Sequence, residues 1–439
     1  MSERRCLMVV PVFPPRSSVG VFRSLRFCRN LPAFGWVPSV CTLNSRNEAD
    51  NDPLVFELDK RSRIVRVGVY ADAYMPTKNH QPTEDSGNRK LRLLVGRLRG
   101  LLRPYREVLY ETPDRGIGWV NSVKRNDKAI LESTKPDLVY SSGPPHSTHL
   151  AAMHLAKKAK IPWIADFRDP WARLPWVVSH NPIGRKWIIP GLEKQVVQTA
   201  STIVLNNDSS KKDFCKAYPD LAWKFHTITN GIDRAVRDRI QDVLAEYRPD
   251  DERSSITICH AGSLYGHRDP SLFLKALAQV RNKGVDIRFQ QVGPIDESFN
   301  TLRLCQELGI ENAVDLVPSL PHVEALKKMA AADILLIIQP DAPVMVPAKL
   351  FEMMIFQKPI IGVCDSPSSE EIIEAYGGYS AASQDVVKIR EVIELSVAQL
   401  ERDSYQKDPR RLATCEQYDG VRLTGVLAEH MDRLISERN

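Results

Sequence analysis

The residues of this 439-residue chain best suited to chemistry lie in VPAKLFEMMIFQKPIIGV, from Val346 to Val363. Lys349 and Glu352 are three positions apart, which on a helix puts a cation and a carboxylate on one face. Pro347 suits a first helical residue, because its φ is fixed and its missing N–H is not needed there. Both side chains then lie near the positive end of the helix dipole, beside backbone N–H groups that have no partner within the helix. Lys358-Pro359 ends the helix, and IIGV has the unbroken apolar character of a strand buried on both faces. A helix start and a lysine take phosphate, and a carboxylate accepts ribose hydroxyls, so the set suits a nucleoside diphosphate. An ordinary solvated pair has the same spacing. The surrounding chain has to decide between them.

A second phosphate-type loop supports the ligand reading. After the strand SITICHAG comes GSLYGHRDPS, where Gly262 and Gly266 allow close backbone approach, Ser263 is a further donor-binding candidate, and Arg268 stands beside the helix start at Asp269-Pro270. In the first half, SSGPPHSTH and ADFRDPW each follow a strand, where α/β sheets place ligands. His146, His149 and Asp169 there have the chemistry to orient a sugar hydroxyl or move its proton. His154, further along the same helix, reads as structural, and Arg168-Asp169 is equally readable as a local ion pair. No HExxH or other clean metal-ligand set appears, so neither a metal nor another cofactor is expected.

These residues need a scaffold, and the chain supplies a repeated one. CLMVVPVF reads as a first buried strand, followed by a loop containing Gly20 and a helix from Val21 to about Phe34. The loop lacks GxGxxG, which disfavours a dehydrogenase. From WVNSVKRNDKAILEST, read as one helix, strands and helices alternate regularly through DLVYSS, PWIADF, STIVLN and KFHTITNGID. RPDDERSS reads as a linker, after which the alternation resumes through VDIRFQQVG, AVDLVP and ADILLIIQP. This βαβ rhythm predicts two doubly wound Rossmann-like domains with parallel sheets facing across a cleft. Residues 1–246 are expected to bind the acceptor and 247–410 the donor. The helix-rich remainder, 411–439, is expected to pack back on the first domain.

Composition excludes other classes. Hydrophobic residues make up 43% and charged residues 26%, as in ordinary globular proteins, and the net charge of +6 is mild. No zinc-finger, recognition-helix or RNA-binding signature points to nucleic acid. The eight cysteines are scattered without a CxxC pair, which reads as reduced, cytoplasmic usage. The apolar run Cys6 to Phe13 is too short to span a membrane. RKLRLLVGRLRGLLRPYR carries seven basic residues and no acidic one. Its leucines recur at helical spacing opposite Arg92, Arg99, Arg103 and Arg106, and Arg89 opens it. That pattern suits a helix lying on an anionic membrane surface, or a surface helix packing its leucines inward.

Taken together, KPDLVYSSGPPHSTHLAA, IPWIADFRDPW, ITNGID, HAGSLYGHRDP and VPAKLFEMMIFQKPII resemble bacterial glycosyltransferases of family 4, in the family's order and over most of the chain. The resemblance implies the GT-B fold and a retaining, metal-independent, hexosyltransferase-type enzyme. It would move a sugar from a nucleotide-sugar donor to a sugar or lipid-linked acceptor, in surface polysaccharide or glycolipid assembly. It implies that Arg268 and Lys349 neutralise the departing diphosphate, that Glu352 holds the ribose, and that the Gly20 loop approaches the donor phosphates. His146 and Asp169 join them as catalytic candidates, with Ser142, His149 and Arg168 on the acceptor side. Two positions depart from the pattern. Val344 stands where the first of two glutamates is usual, and Ser142 stands where the first domain often has a histidine. A catalytically degenerate scaffold or partner subunit, and a nucleotide-sugar 2-epimerase, are the competing readings.

Overall fold

A computed structural model describes residues 3–15, 19–44, 58–69, 112–173, 183–247, 255–405 and 408–438. The basic stretch containing Arg89, Arg92, Arg99, Arg103 and Arg106 lies outside these residues. By packing, the chain divides into one unit formed by residues 1–206, 211–228 and 424–439, and a second formed by 207–210 and 229–423.

In the first unit the apolar runs form a seven-stranded sheet. Its strands are β1 (Arg4–Val9), β2 (Trp36–Asn44), β3 (Ile64–Val69), β4 (Leu138–Gly143), β5 (Trp163–Phe167), β6 (Thr202–Leu205) and β7 (Phe225–Thr227). They lie in the order β3-β2-β1-β4-β5-β6-β7, every pair parallel. β4 and β5 are buried along their whole length, as expected of parallel strands covered on both faces. Leu7, Val139, Ala165 and Ile203 pack there against Trp119, Leu155, Val196 and Phe214 from the covering helices. The stretch read as one helix is two, Ile117–Arg125 and Asp127–Thr134. Asn126 between them leaves helical geometry at φ −105° and ψ 11°. Asp127 then turns inward to His154 Nε2 at 2.7 Å and Lys158 Nζ at 2.6 Å.

The second unit repeats the plan with six strands. They are β8 (Ile256–Ala261), β9 (Ile287–Val292), β10 (Val314–Val317), β11 (Ile334–Gln339), β12 (Ile360–Cys364) and β13 (Tyr379–Ala381), in the order β10-β9-β8-β11-β12-β13, again all parallel. Two apolar clusters cover its faces. One gathers Leu326, Leu350, Phe351 and Met354, and the other gathers Phe273, Leu277, Ile389 and Ile393. The helix Arg234–Glu246, read above as the end of the first domain, belongs to this unit. Ile232 just before it bridges to Asp419.

The opening stretch forms the helix Ala348–Ile355 and the strand β12. Pro347 is the residue before the helix, in extended geometry, rather than its first member. Leu350, Phe351, Met353, Met354 and Ile355 are buried, which leaves Lys349 and Glu352 on the half-buried side. All eight cysteines are free thiols. Among the described residues no helix is long and apolar enough to cross a membrane.

Candidate functional site

The order of the second sheet reverses direction between β8 and β11, and in such sheets ligands settle where the order reverses. The turn after β8 carries Gly262 and Ser263. The turn after β9 supports it from behind, since the Gly262 N–H donates to the Val292 carbonyl at 2.8 Å. Gly293 has φ +124°, and a Cβ there would stand 2.6 Å from the Gly262 carbonyl oxygen. Only glycine permits that approach. Gln291, fully buried, locks the two turns together by donating its amide to the carbonyls of Gly262 (2.6 Å) and Gly293 (3.2 Å).

Lys349 reaches this turn from the start of its helix and donates to the Ala261 carbonyl at 2.5 Å. Burial and the neighbouring Arg268 guanidinium push its ammonium below the ordinary lysine range, while the Glu352 and Cys259 side chains act upward. A cation whose charge is only partly solvated is poised to gain from an arriving anion. Arg268 lies over the Tyr265 ring, 5.4 Å from its centre, and extends Nη2 to Gln339 Oε1 at 3.5 Å. Its buried Nε has no hydrogen-bond partner among the described residues. Glu352 lies 4.0 Å from His322 Nε2, at the head of the preceding helix, His322–Ala331. Gly262, Arg268, Lys349 and Glu352, singled out by type and spacing, are thus brought to one end of one sheet, with Ser263 in the same turn.

Two buried polar residues beside this turn escaped the sequence reading, Gln291 and the neighbouring His260, whose Nδ1 lies 2.7 Å from Gln291 Oε1. Both were hidden in strand-like runs, SITICHAG and VDIRFQQVG, where they read as filler between apolar residues. Val344 is half-buried. Its carbonyl accepts from Asn207 Nδ2 at 3.0 Å and Ser210 Oγ at 2.9 Å. A cleft of about 310 Å³ also opens beside the Arg268 loop, between His267, Ser271 and Lys275 on one side and Ile338, Pro340 and Ser383 on another. Neither Lys349 nor Glu352 lines it.

In the first unit, the candidates gather at the carboxyl ends of β4 and β5. Arg168 donates to the carbonyls of Gly143 (Nε, 3.2 Å) and Pro144; among the described residues it makes no ion pair with Asp169. Its guanidinium lies against Gly20, where any Cβ would overlap it. Gly20 itself is the second residue of the helix Val19–Asn30, so the close approach it permits is to Arg168. Burial raises the Asp169 carboxyl, against the pull of Arg168.

His146 and His149 are less accessible than their types suggest. The His146 ring stacks between Phe167 and Trp171. Burial, with His149 and Arg168, pushes it well below the ordinary histidine range, and its buried Nδ1 has no hydrogen-bond partner among the described residues. His149 is fully buried and hydrogen-bonds Ser141 Oγ through Nδ1 at 2.9 Å. Burial pushes it down to about 3. Ser142 is also buried and donates to Asp166 Oδ2 at 2.9 Å. As placed, Ser142 and His149 support the loop and do not present a polar atom to an acceptor.

Asp166 is the centre the sequence reading passed over. It receives Arg23 through Nε and Nη2, both at 2.8 Å, the Tyr140 hydroxyl at 2.5 Å and the Ser142 hydroxyl. Arg23 is 3% exposed and Asp166 0%. Burial acts upward on this carboxyl, but the guanidinium and the two hydroxyls outweigh it and hold it below the usual range. Arg23 also donates to the Ile228 carbonyl at 2.7 Å, so the helix Val19–Asn30 is tied to β4 and β5 through Asp166 and to the residue after β7 directly. Asp114 completes the support. It accepts the Ser147 N–H at 2.8 Å and hydroxyl at 2.6 Å, capping the helix that carries His146 and His149 at its start.

The two Rossmann-like α/β domains define the GT-B class of fold. No family model matches the sequence, and no curated protein does. Solved structures do match over their whole length. The protein HepE of Anabaena in complex with UDP is 13% identical over 98% of this chain and 100% of that one, with a TM-score of 0.62. Sucrose-phosphate synthase from Thermosynechococcus elongatus is 13% identical over 99% and 100%, with a TM-score of 0.64. WaaG, a glycosyltransferase involved in lipopolysaccharide biosynthesis, is 15% identical over 97% and 98%, with a TM-score of 0.57. At such identities the likeness is one of fold.

Proposed function

We propose that this chain is a glycosyltransferase that holds a nucleotide-sugar donor in its second unit. The observation that carries the reading is the meeting of Lys349 and Arg268 at the Gly262 turn, at the reversal point of the sheet. When the glycosidic bond to the diphosphate breaks, negative charge grows on the leaving group. Prepositioned cations at that point lower the barrier more than they stabilise the bound ground state. Glu352, three residues beyond Lys349, takes the ribose hydroxyls. Neutralisation of the leaving group falls to these side chains in this reading, with no metal assigned a part and stereochemistry retained. The UDP complex of HepE, a protein of the same fold, supports a nucleotide donor. The fold of WaaG favours an acceptor in surface glycolipid or polysaccharide assembly.

In the first unit the reading assigns the acceptor to the corner carrying His146, Arg168 and Asp169, with Gly20 beside it. Incubation with UDP-, GDP-, ADP- and dTDP-sugars, followed by mass spectrometry, tests the proposal. Release of one nucleoside diphosphate with sugar transfer or hydrolysis is expected, and the anomeric configuration of the product reports retention. Val344 favours one second reading, a catalytically silent member acting as a partner subunit. It gives binding without turnover in the same assay.

A further inference from the structure

Beside Lys349 stands a histidine to which nothing above has given a role. His260 is the fifth residue of β8 and 8% exposed. Its Nδ1 lies 2.7 Å from Gln291 Oε1. The Gln291 amide nitrogen faces two carbonyls, those of Gly262 and Gly293, so it must be the donor end. Oε1 is then an acceptor, and His260 must carry its proton on Nδ1. That leaves a lone pair on Nε2, which makes no hydrogen bond among the described residues. A Cβ placed on Gly262 would stand 3.8 Å from both His260 Nε2 and Lys349 Nζ. The two nitrogens therefore flank one point above the Gly262 turn.

A diphosphate at that point presents only acceptors. Neutral Nε2 would turn its lone pair toward anionic oxygen, whereas a protonated Nε2 would donate to it. We infer that His260 takes up a proton when the donor diphosphate binds, so that Nε2–H joins Lys349 and Arg268 as a third positive contact. Gln291 makes this possible, because it holds Nδ1 and aims Nε2 whatever the charge on the ring. The groups facing the imidazole from the packed elements are Gln291 on β9, Lys349 on its helix and Arg268 in the turn. In the free protein burial pushes His260 down to about 4, with Lys349 and Arg268 acting in the same direction and the Gln291 hydrogen bond acting against them. The two negative charges of the diphosphate offset those two cations, and an anionic oxygen placed at Nε2 favours the protonated ring.

The inference rests on the proposed donor site, and calorimetry separates the two. UDP-glucose, followed by GDP-mannose, ADP-glucose and dTDP-glucose, is titrated into the full chain from about pH 6 to 8.5 in buffers of different ionisation enthalpy. The phosphodiester donors do not titrate in this range, so any proton taken up belongs to the protein. Uptake approaching one proton per site is expected, with affinity weakening up to about tenfold per pH unit as pH rises between the free and bound pKa values. His260→Asn keeps a donor for Gln291 and should fold normally, yet lose both the uptake and the slope. Binding by the wild type with no uptake and with the same slope as the variant overturns the inference and leaves the donor site standing. Binding of none of the four overturns both.

Discussion

At the scale of single residues, two charged groups make opposite predictions. Lys349 donates to a backbone carbonyl that β8 would keep in place without it. Lys349→Ala should therefore leave thermal unfolding nearly unchanged. It should weaken nucleotide-sugar affinity by about ten- to a hundredfold, the worth of a charge-assisted hydrogen bond of about 1.5–3 kcal/mol. Isothermal titration with the donor that binds checks this, and an unchanged affinity would remove Lys349 from the site. Asp166 is the reverse case. Removing one member of a buried pair strands the other charge in a dry interior, at a cost of about 3–5 kcal/mol. Asp166→Ala should lower the free energy of unfolding of the first unit, read from urea titration, by that amount while donor binding persists. The sequence signalled Lys349 through the spacing to Glu352, but Asp166 only through an acid inside the apolar strand PWIADF. A charge in a buried strand requires a partner, and Arg23 lies 143 positions away. Spacing rules see only neighbours in sequence.

At the scale of elements, the turns decide what the strands can hold. Gly293→Ala puts a methyl 2.6 Å from the Gly262 carbonyl, backbone against backbone, on a residue with φ +124°. It should destabilise the second unit by more than about 1 kcal/mol and displace the Gly262 turn, so donor affinity falls as well. Gly20→Ala also creates an overlap, but with the far end of the flexible Arg168 side chain. Its stability cost should be small, and chemical denaturation of the two variants side by side checks the contrast. The corner after β4 carries a pH signature. His149 is held neutral down to about 3, while in the unfolded chain a histidine protonates near 6.5. Between those values the unfolded state binds the extra proton, so this contribution is intact above about pH 6.5 and declines as pH falls. The stability of the wild type relative to His149→Gln should drop by about 1.4 kcal/mol between about pH 6 and 5. A gap that stays constant with pH would show that His149 is not buried neutral. Strand positions were legible because parallel strands read as unbroken apolar runs. The break at Asn126 was not, because its cause is tertiary: Asp127 is drawn inward to His154 and Lys158.

At the scale of the whole molecule, the alternation of strands and helices announced two parallel sheets. The division near Ile228 did not stand out, because a polar helix such as Arg234–Glu246 packs equally well at the end of one domain or the start of the next. What the sequence does state at this scale is a charge pattern. The segment from Arg89 to Arg106 concentrates seven basic residues and no acid in a chain whose net charge is only +6. If its leucines face a bilayer, its arginines lie at the headgroups. Each is then worth about 1 kcal/mol at an anionic surface and almost nothing at a neutral one. The attraction is electrostatic, so it should fade as the screening length shrinks from about 10 Å at 0.1 M salt to about 3 Å at 1 M. The full chain should co-sediment with vesicles rich in phosphatidylglycerol at low salt and be released at high salt. Replacing the three arginines together, as Arg92→Glu, Arg99→Glu and Arg103→Glu, reverses the field of the segment and should abolish the binding. Equal sedimentation with neutral phosphatidylcholine vesicles, or salt-insensitive binding, would instead assign the leucines to the protein's own core. A glycosyltransferase with a lipid-linked acceptor gains from such a surface, because it confines the enzyme to the plane where that acceptor is found.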